Sequence, residues 1–262
     1  MKTIKLAFVL VFAMSLYGQE QVVWNVTYLD VPAAEVNDFT QLHKDFTNLA
    51  LGESRTLLDQ WVYRHYYGSG ASIVIYDLYS SLAEMEKDDP WVELRKKWEA
   101  ADEDQRKSME QIVVKYNSYN SGHYDELRVQ NPETDHYSKM ANDDPKWDTP
   151  FIAVIGNYNS KGNQGEFGQA FLSWSTKPLV DGDMLMGGGV SYHYYGKGTE
   201  AQFYQGFESM SAFANALENP VEGDDEARRK FWSMVEGVHQ DQIYVHVGHI
   251  INGEFNLAGP NR

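Results

Sequence analysis

The chain of 262 residues contains no cysteine. That excludes disulfides, thiolate nucleophiles, iron–sulfur clusters and cysteine-ligated zinc in one step, and with them the cysteine-linked anchor of a bacterial lipoprotein. Positive charge is scarce: 22 Lys and Arg stand against 38 Asp and Glu, a formal net charge of −16. Such a surface repels nucleic-acid phosphates, so a nucleic-acid partner is excluded. Gly-x-Ser-x-Gly does not occur, which removes hydrolase chemistry of the nucleophile-elbow type. No glycine-rich turn leads from a strand into a helix, as phosphate binding would require.

Long apolar runs are also missing, apart from one at the N-terminus. Lys2 and Lys5 precede an apolar stretch from Leu6 to Leu16, and Tyr17-Gly18 form a small-residue boundary. The pattern predicts an export signal over residues 1–18, since the run is too short to span a bilayer comfortably. The mature chain is therefore expected to be exported, periplasmic or secreted, with no membrane span.

Aromatic residues are plentiful: 17 Tyr, 12 Phe and 7 Trp, within a hydrophobic fraction of 42%. This composition supports a folded core with polar-tipped rings to place. Part of the abundance is repetition. His65-Tyr66-Tyr67-Gly68-Ser69-Gly70 recurs as His193-Tyr194-Tyr195-Gly196-Lys197-Gly198 at an offset of 128, and the register holds from Phe39/Phe167 to Met85/Phe213. A period this long signals two domain-sized copies and not a solenoid. Downstream, Pro90 matches Pro220, but Asp102-Glu103-Asp104 matches Asp224-Asp225-Glu226 at an offset of 122. The first copy thus carries about eight extra residues around Trp91–Trp98, placed as surface helix or loop. Pro132, Pro145 and Pro150 mark a linker. The organisation read from the sequence is a signal over 1–18, a first repeat over 19–130, a linker over 131–150 and a second repeat over 151–262.

Each copy opens with a β-rich run, Val22–Leu29 or Phe151–Tyr158. A helical period follows, with Phe39, Leu42, His43 and Phe46 in one copy and Phe167, Ala170, Phe171 and Trp174 in the other. Two strands joined by a Gly-x-Gly turn come next, then helices, then a last strand at His123–Val129 or Ile243–Ile251. The acidic triplets read as N-terminal helix turns opposing the macrodipole. The fold class is α+β: two β-α-β-β-α-β repeats with antiparallel sheets. This order and duplication resemble the ferredoxin-like dimeric α/β-barrel superfamily, here as a tandem fusion. The resemblance implies two sheets packed into an intramolecular barrel, with a pocket inside it or between sheet and helices. It also implies membership of a group that includes cofactor-free monooxygenases and haem proteins.

Strand alternation sorts the matched residues by face. Ile73, Ile75, Val190, Tyr192, Ala201 and Phe203 should face helices, leaving Trp61, Tyr63, His65, Tyr67 and Tyr76, with His193, Tyr195 and Tyr204, on the inner face. His65 and His193 are the candidate catalytic residues, as base or haem ligand, because imidazole titrates near neutrality. Trp61, Tyr63, Tyr67, Tyr76, Tyr195, Tyr204 and His246 are the candidate ligand contacts. His193, Glu200, His246 and His249 could also converge as a metal set, but the spacing is unspecific and no metal is assigned. Gly187-Gly188-Gly189 stands where the first copy has bulky side chains, so the second pocket is expected to be the open one.

Three readings follow. One is an exported protein that binds an apolar or aromatic small molecule. Another is a monooxygenase-like or haem-dependent oxidative enzyme, and the third is a structural or assembly protein with a filled interior. The sequence leaves cofactor, turnover and oligomeric state open.

Overall fold

The computed structural model describes residues 21–259. The export signal expected over 1–18 lies outside the described residues. The first half runs β1 (Val22–Leu29), α1 (Val36–Ala50), β2 (Asp59–Gly68), β3 (Ile73–Tyr79), α2 (Leu82–Lys87), α3 (Pro90–Ala100), α4 (Glu103–Tyr119) and β4 (Tyr124–Gln130). A connecting segment, residues 131–150, carries the short strand β5 (His136–Ser138). The second half runs β6 (Ile152–Ser160), α5 (Gln164–Phe171), a π-helical turn, α6 (Lys177–Asp181), β7 (Gly187–Gly196), β8 (Ala201–Phe207), α7 (Met210–Glu218), α8 (Asp225–Met234) and β9 (Val235–Ile251). A final strand, β10 (Glu254–Leu257), folds back on β9.

Strand neighbours follow the order β9-β2-β3-β1-β4-β7-β8-β6, and β6 pairs back with β9. Every pairing is antiparallel, so the eight strands close into a barrel with no free edge. Closure joins the halves at two seams, β2 to β9 and β4 to β7. The strand registers show how the halves correspond. Val23 pairs with Tyr79 and Val129, while Ile152 pairs with Phe207 and Val245. Tyr79 and Phe207 differ by the expected 128, but Val129 and Val245 differ by 116, not 122. The first half is therefore longer between hairpin and last strand by 12 residues, more than the sequence match suggested. Much of the extra length is α3, started by Asp89 accepting a bond from Trp91 N with Pro90 in the first turn.

The acidic triplets act as caps. Asp102 and Gln105 form a reciprocal capping box on α4, and Asp224 accepts bonds from Glu226 N and Ala227 N at the start of α8.

The layer between barrel and helices is filled on both sides. Phe167, Phe203 and Phe231, each at most 1% exposed, stack in the second half, with Phe167 and Phe231 parallel at 4.6 Å. Under the first half's helices Phe39, Val62 and Ile73 are fully buried together with Phe255 of β10. That layer also holds a polar network. His43 Nε2 meets Gln60 Oε1 at 2.8 Å, Tyr116 OH meets His43 Nδ1 at 3.0 Å, and Gln60 Nε2 donates to Asp77 at 2.7 Å. Burial lowers the His43 pKa to about 4 and pushes the Asp77 carboxyl up to about 6. The signs oppose. Neutral His43 contributes stability that is lost as pH falls from about 6.5 towards 4, whereas protonated Asp77 contributes stability that is lost as pH rises through 6. Asp77→Asn keeps an acceptor for Gln60 and removes the charge. It should raise stability at pH 8 by about 1–2 kcal/mol, with the gain vanishing near pH 4, as urea midpoints at the two pH values will show.

Candidate functional site

Neighbouring strands alternate in direction, so the starts of β2 and β7 and the ends of β3, β4, β8 and β9 gather at one end of the barrel. A cavity of about 340 Å³ lies inside that end. Its walls are the inward side chains of these strands. Trp24 comes from β1, Asp59, Trp61 and Tyr63 from β2, Tyr76 and Leu78 from β3, Gln130 from β4, Ala153 and Ile155 from β6, and Gln202 and Tyr204 from β8. The connecting segment covers it: β5 pairs with β7 through His136–Gly189, Tyr137–Gly188 and Ser138–Gly187, and Pro132, His136, Asn142 and Trp147 complete the wall.

The rings stand at right angles to one another. Tyr76 meets Trp24 at 6.2 Å and Tyr63 at 5.7 Å, and Trp61 meets Trp147 at 6.2 Å, all edge to face. Trp24 Nε1 donates to Gln130 Oε1 at 3.1 Å, Gln130 Nε2 donates to Tyr204 OH at 2.7 Å, and Tyr204 OH donates to His136 Nδ1 at 3.0 Å. Burial lowers the His136 pKa, which keeps this chain neutral. Tyr76 OH donates to Gln202 Oε1 at 2.9 Å. The Tyr63 hydroxyl has no partner among the described residues, and burial raises its pKa. Below this layer, Glu126 and Arg128 form a buried ion pair that also engages Tyr28 and Ser191. The other end of the barrel is thus plugged by side chains.

Of the residues expected on the inner face, Trp61, Tyr63, Tyr76 and Tyr204 meet at this cavity. Tyr67 and Tyr195 do not; they are 71% and 73% exposed at the opposite end. A β-bulge explains the error in both halves. The register slips between His65 and Tyr67, and between the pairs His193–Arg128 and Tyr195–Leu127, so one extra residue breaks the alternation beside each hairpin turn. His65 and His193 share that distant end. His65 packs edge-on against Tyr244 at 5.5 Å, and His193 Nε2 donates to Gly196 O at 3.1 Å within its own turn. His246 is 1% exposed on the inner face, packed against Trp61 and Tyr63 and stacked on Phe151, with Nδ1 donating to Thr149 O at 2.8 Å and Nε2 accepting from His249 Nδ1 at 3.3 Å. It braces the connecting segment and does not border the cavity. Glu200 bonds Ser160 at the other end of the molecule, and among the described residues no cluster suited to a metal ion forms.

The expectation for the glycine run also changes. Gly187 borders the cavity and lies against Ser138 of β5, Gly188 lies against the Tyr204 backbone, and Gly189 admits Asp135 and the Tyr204 side chain, so the cavity is lined from both halves and is not a pocket of the second copy alone. Asp59, Gln130, His136, Trp147 and Phe151 went unnoticed in the sequence. Asp59 and Trp24 were within reach, since Asp59-x-Trp61-x-Tyr63 and Trp24-x-Val26-x-Tyr28 alternate onto one face. His136 and Trp147 carried no such signal, because they lie in a segment that reads as linker.

No family model and no curated protein matches the chain. Among solved structures, an anthrone oxidase-like protein is similar over 92% of this chain and 97% of its own, with a TM-score of 0.56 at 11% identity. A Lactobacillus acidophilus protein provisionally named a monooxygenase is similar over 92% of this chain and 100% of its own, with a TM-score of 0.57 at 10% identity. These proteins belong to the dimeric α/β-barrel superfamily. The chain has the dimeric α/β-barrel fold. Of the two pocket positions that this fold offers, the layer between sheet and helices is packed and the barrel interior is open. Neither residue offered as a haem ligand borders the cavity: His65 and His193 both lie away from it, and the imidazole that does border it is His136, whose Nδ1 is hydrogen-bonded to Tyr204.

Proposed function

We propose that this is an exported small-molecule binding protein, made of two tandem ferredoxin-like units over residues 19–130 and 151–262, whose ligand is a compact aromatic compound held inside the barrel. The cavity itself carries this reading. Its volume suits one small molecule, eight of its twenty lining residues carry aromatic rings, and a few fixed polar atoms are available for orientation, the usual make-up of a ligand site. An open interior also weighs against a purely structural role. The connecting segment is then part of the site and more than a tether.

Quenching of tryptophan fluorescence by one-ring and two-ring aromatic compounds tests the proposal, because Trp24, Trp61 and Trp147 border the cavity. Saturable quenching is expected. Ala153→Leu, which extends a 5% exposed wall residue into the space, should weaken binding at least about tenfold with the melting temperature unchanged or raised. Equal affinity in the filled variant would refute the site.

The names of the similar structures favour a second reading, in which the bound compound is oxidised. Oxygen uptake on mixing protein with phenolic compounds distinguishes catalysis from binding.

A further inference from the structure

Resting on the cavity reading above, we infer that the ligand carries a positive charge: the site is an aromatic cage for an organic cation, with Asp59 as its counter-charge. Asp59 is the one carboxylate on the cavity wall, and no Lys or Arg accompanies it there. Among the described residues no cation pairs with it. Its Oδ2 accepts from Trp61 Nε1 at 2.7 Å and its Oδ1 from Gln60 N at 2.8 Å, and the Ile250 backbone N–H also donates to the carboxylate, so three neutral donors fix it and none of them supplies a positive charge. Burial without a cation pushes the Asp59 carboxyl up to about 6, and a bound cation would offset that cost. Trp24, Trp61, Tyr63, Tyr76 and Trp147 supply much of the remaining wall, packed edge to face, so that a cation held in the cavity would lie among ring faces. A cation over such faces is attracted by the ring quadrupoles, most strongly where water is excluded. An anionic ligand would meet Asp59 with no compensating donor of positive charge, and a neutral one would leave the half-buried carboxylate without a counter-charge. The inward Tyr63 hydroxyl and the Gln205 amide are neutral and impose no opposing charge.

The deciding comparison uses phenyltrimethylammonium and its uncharged isostere tert-butylbenzene, titrated by tryptophan fluorescence into the full mature chain and into Asp59→Asn. Wild type should bind the ammonium more tightly than the isostere, and Asp59→Asn should weaken the ammonium about tenfold while moving the isostere less than about twofold. Isostere binding equal to or tighter than ammonium binding in wild type would overturn the cation assignment and leave the cavity reading intact, as would equal effects of Asp59→Asn on both probes. Failure of both probes to bind would remove both. The wild-type comparison stands alone should Asp59→Asn fold poorly.

Discussion

Glu126→Ala is expected to cost about 3–5 kcal/mol of stability, because it leaves Arg128 charged and unpaired inside the barrel. Arg128 is 1% exposed and Glu126 3%. The guanidinium also donates from Nε to Ser191 Oγ and from one terminal nitrogen to Ser191 O, each at 2.9 Å, with longer bonds to Thr199 O. These neutral acceptors cannot replace a carboxylate. Burial raises the Glu126 pKa, and the Arg128 charge opposes that rise. The second half shows what a neutral version looks like. By strand register the positions of Glu126 and Arg128 correspond to Gln242 and Tyr244, where Tyr244 OH donates to Gln242 Oε1 at 3.3 Å. The double variant Glu126→Gln with Arg128→Tyr copies that pair and should recover most of the loss. Urea denaturation of the two variants measures both numbers. A loss below about 1 kcal/mol for Glu126→Ala would mean that water reaches the pair, and the plug at that end of the barrel would have to be abandoned.

The same pair shows where sequence reasoning stops. The hairpin strands were legible because β2–β3 and β7–β8 keep one offset and alternate up to the bulges beside their turns, which placed Trp61, Tyr63, Tyr76 and Tyr204 inward without any knowledge of closure. The last strands were not. Their offset had to be carried across helices of unequal length, and the acidic caps used as landmarks lie on α4 and α8, whose distances to β4 and β9 differ. A six-residue error preserves face parity, so His246 still landed on the inner face, but at the level of Tyr124 and not of Gln130. Glu126 and Arg128 were missed for another reason. Charged residues in an alternating strand read as solvent-facing, and only barrel closure against β7 buries them. Tyr67 and Tyr195 failed through the bulges, whose extra residues, Tyr66 and Tyr194, look like any other strand residue.

Gly189→Ala should be the most disruptive small substitution at the cavity. A β-carbon there would collide with the carbonyl oxygen of Asp135 and with the Tyr204 hydroxyl. The first contact is backbone and cannot swing aside. Asp135 O accepts from Val190 N at 2.8 Å and from Gln130 Nε2 at 3.3 Å, and the neighbouring His136 pairs with Gly189 itself, so displacing it detaches β5 from β7. The second contact belongs to the hydrogen-bond chain that runs from Trp24 through Gln130 and Tyr204 to His136. Overpacking of this kind costs about 1–3 kcal/mol, and here the strain falls on the segment that covers the ligand site. The melting temperature should therefore drop, and aromatic ligand affinity should fall about tenfold or more. Gly253→Ala is the control, since its φ of +81° imposes backbone strain at a turn where nothing lies within 4 Å of the added carbon. It should lower stability modestly and leave affinity unchanged. If the Gly189 variant kept wild-type affinity, residues 131–150 would be a mere tether between the halves. Loss of affinity confined to Gly189→Ala instead makes the glycine run a device for admitting the connecting segment, where the equivalent position of the first half, Trp61, pairs with His249 of β9.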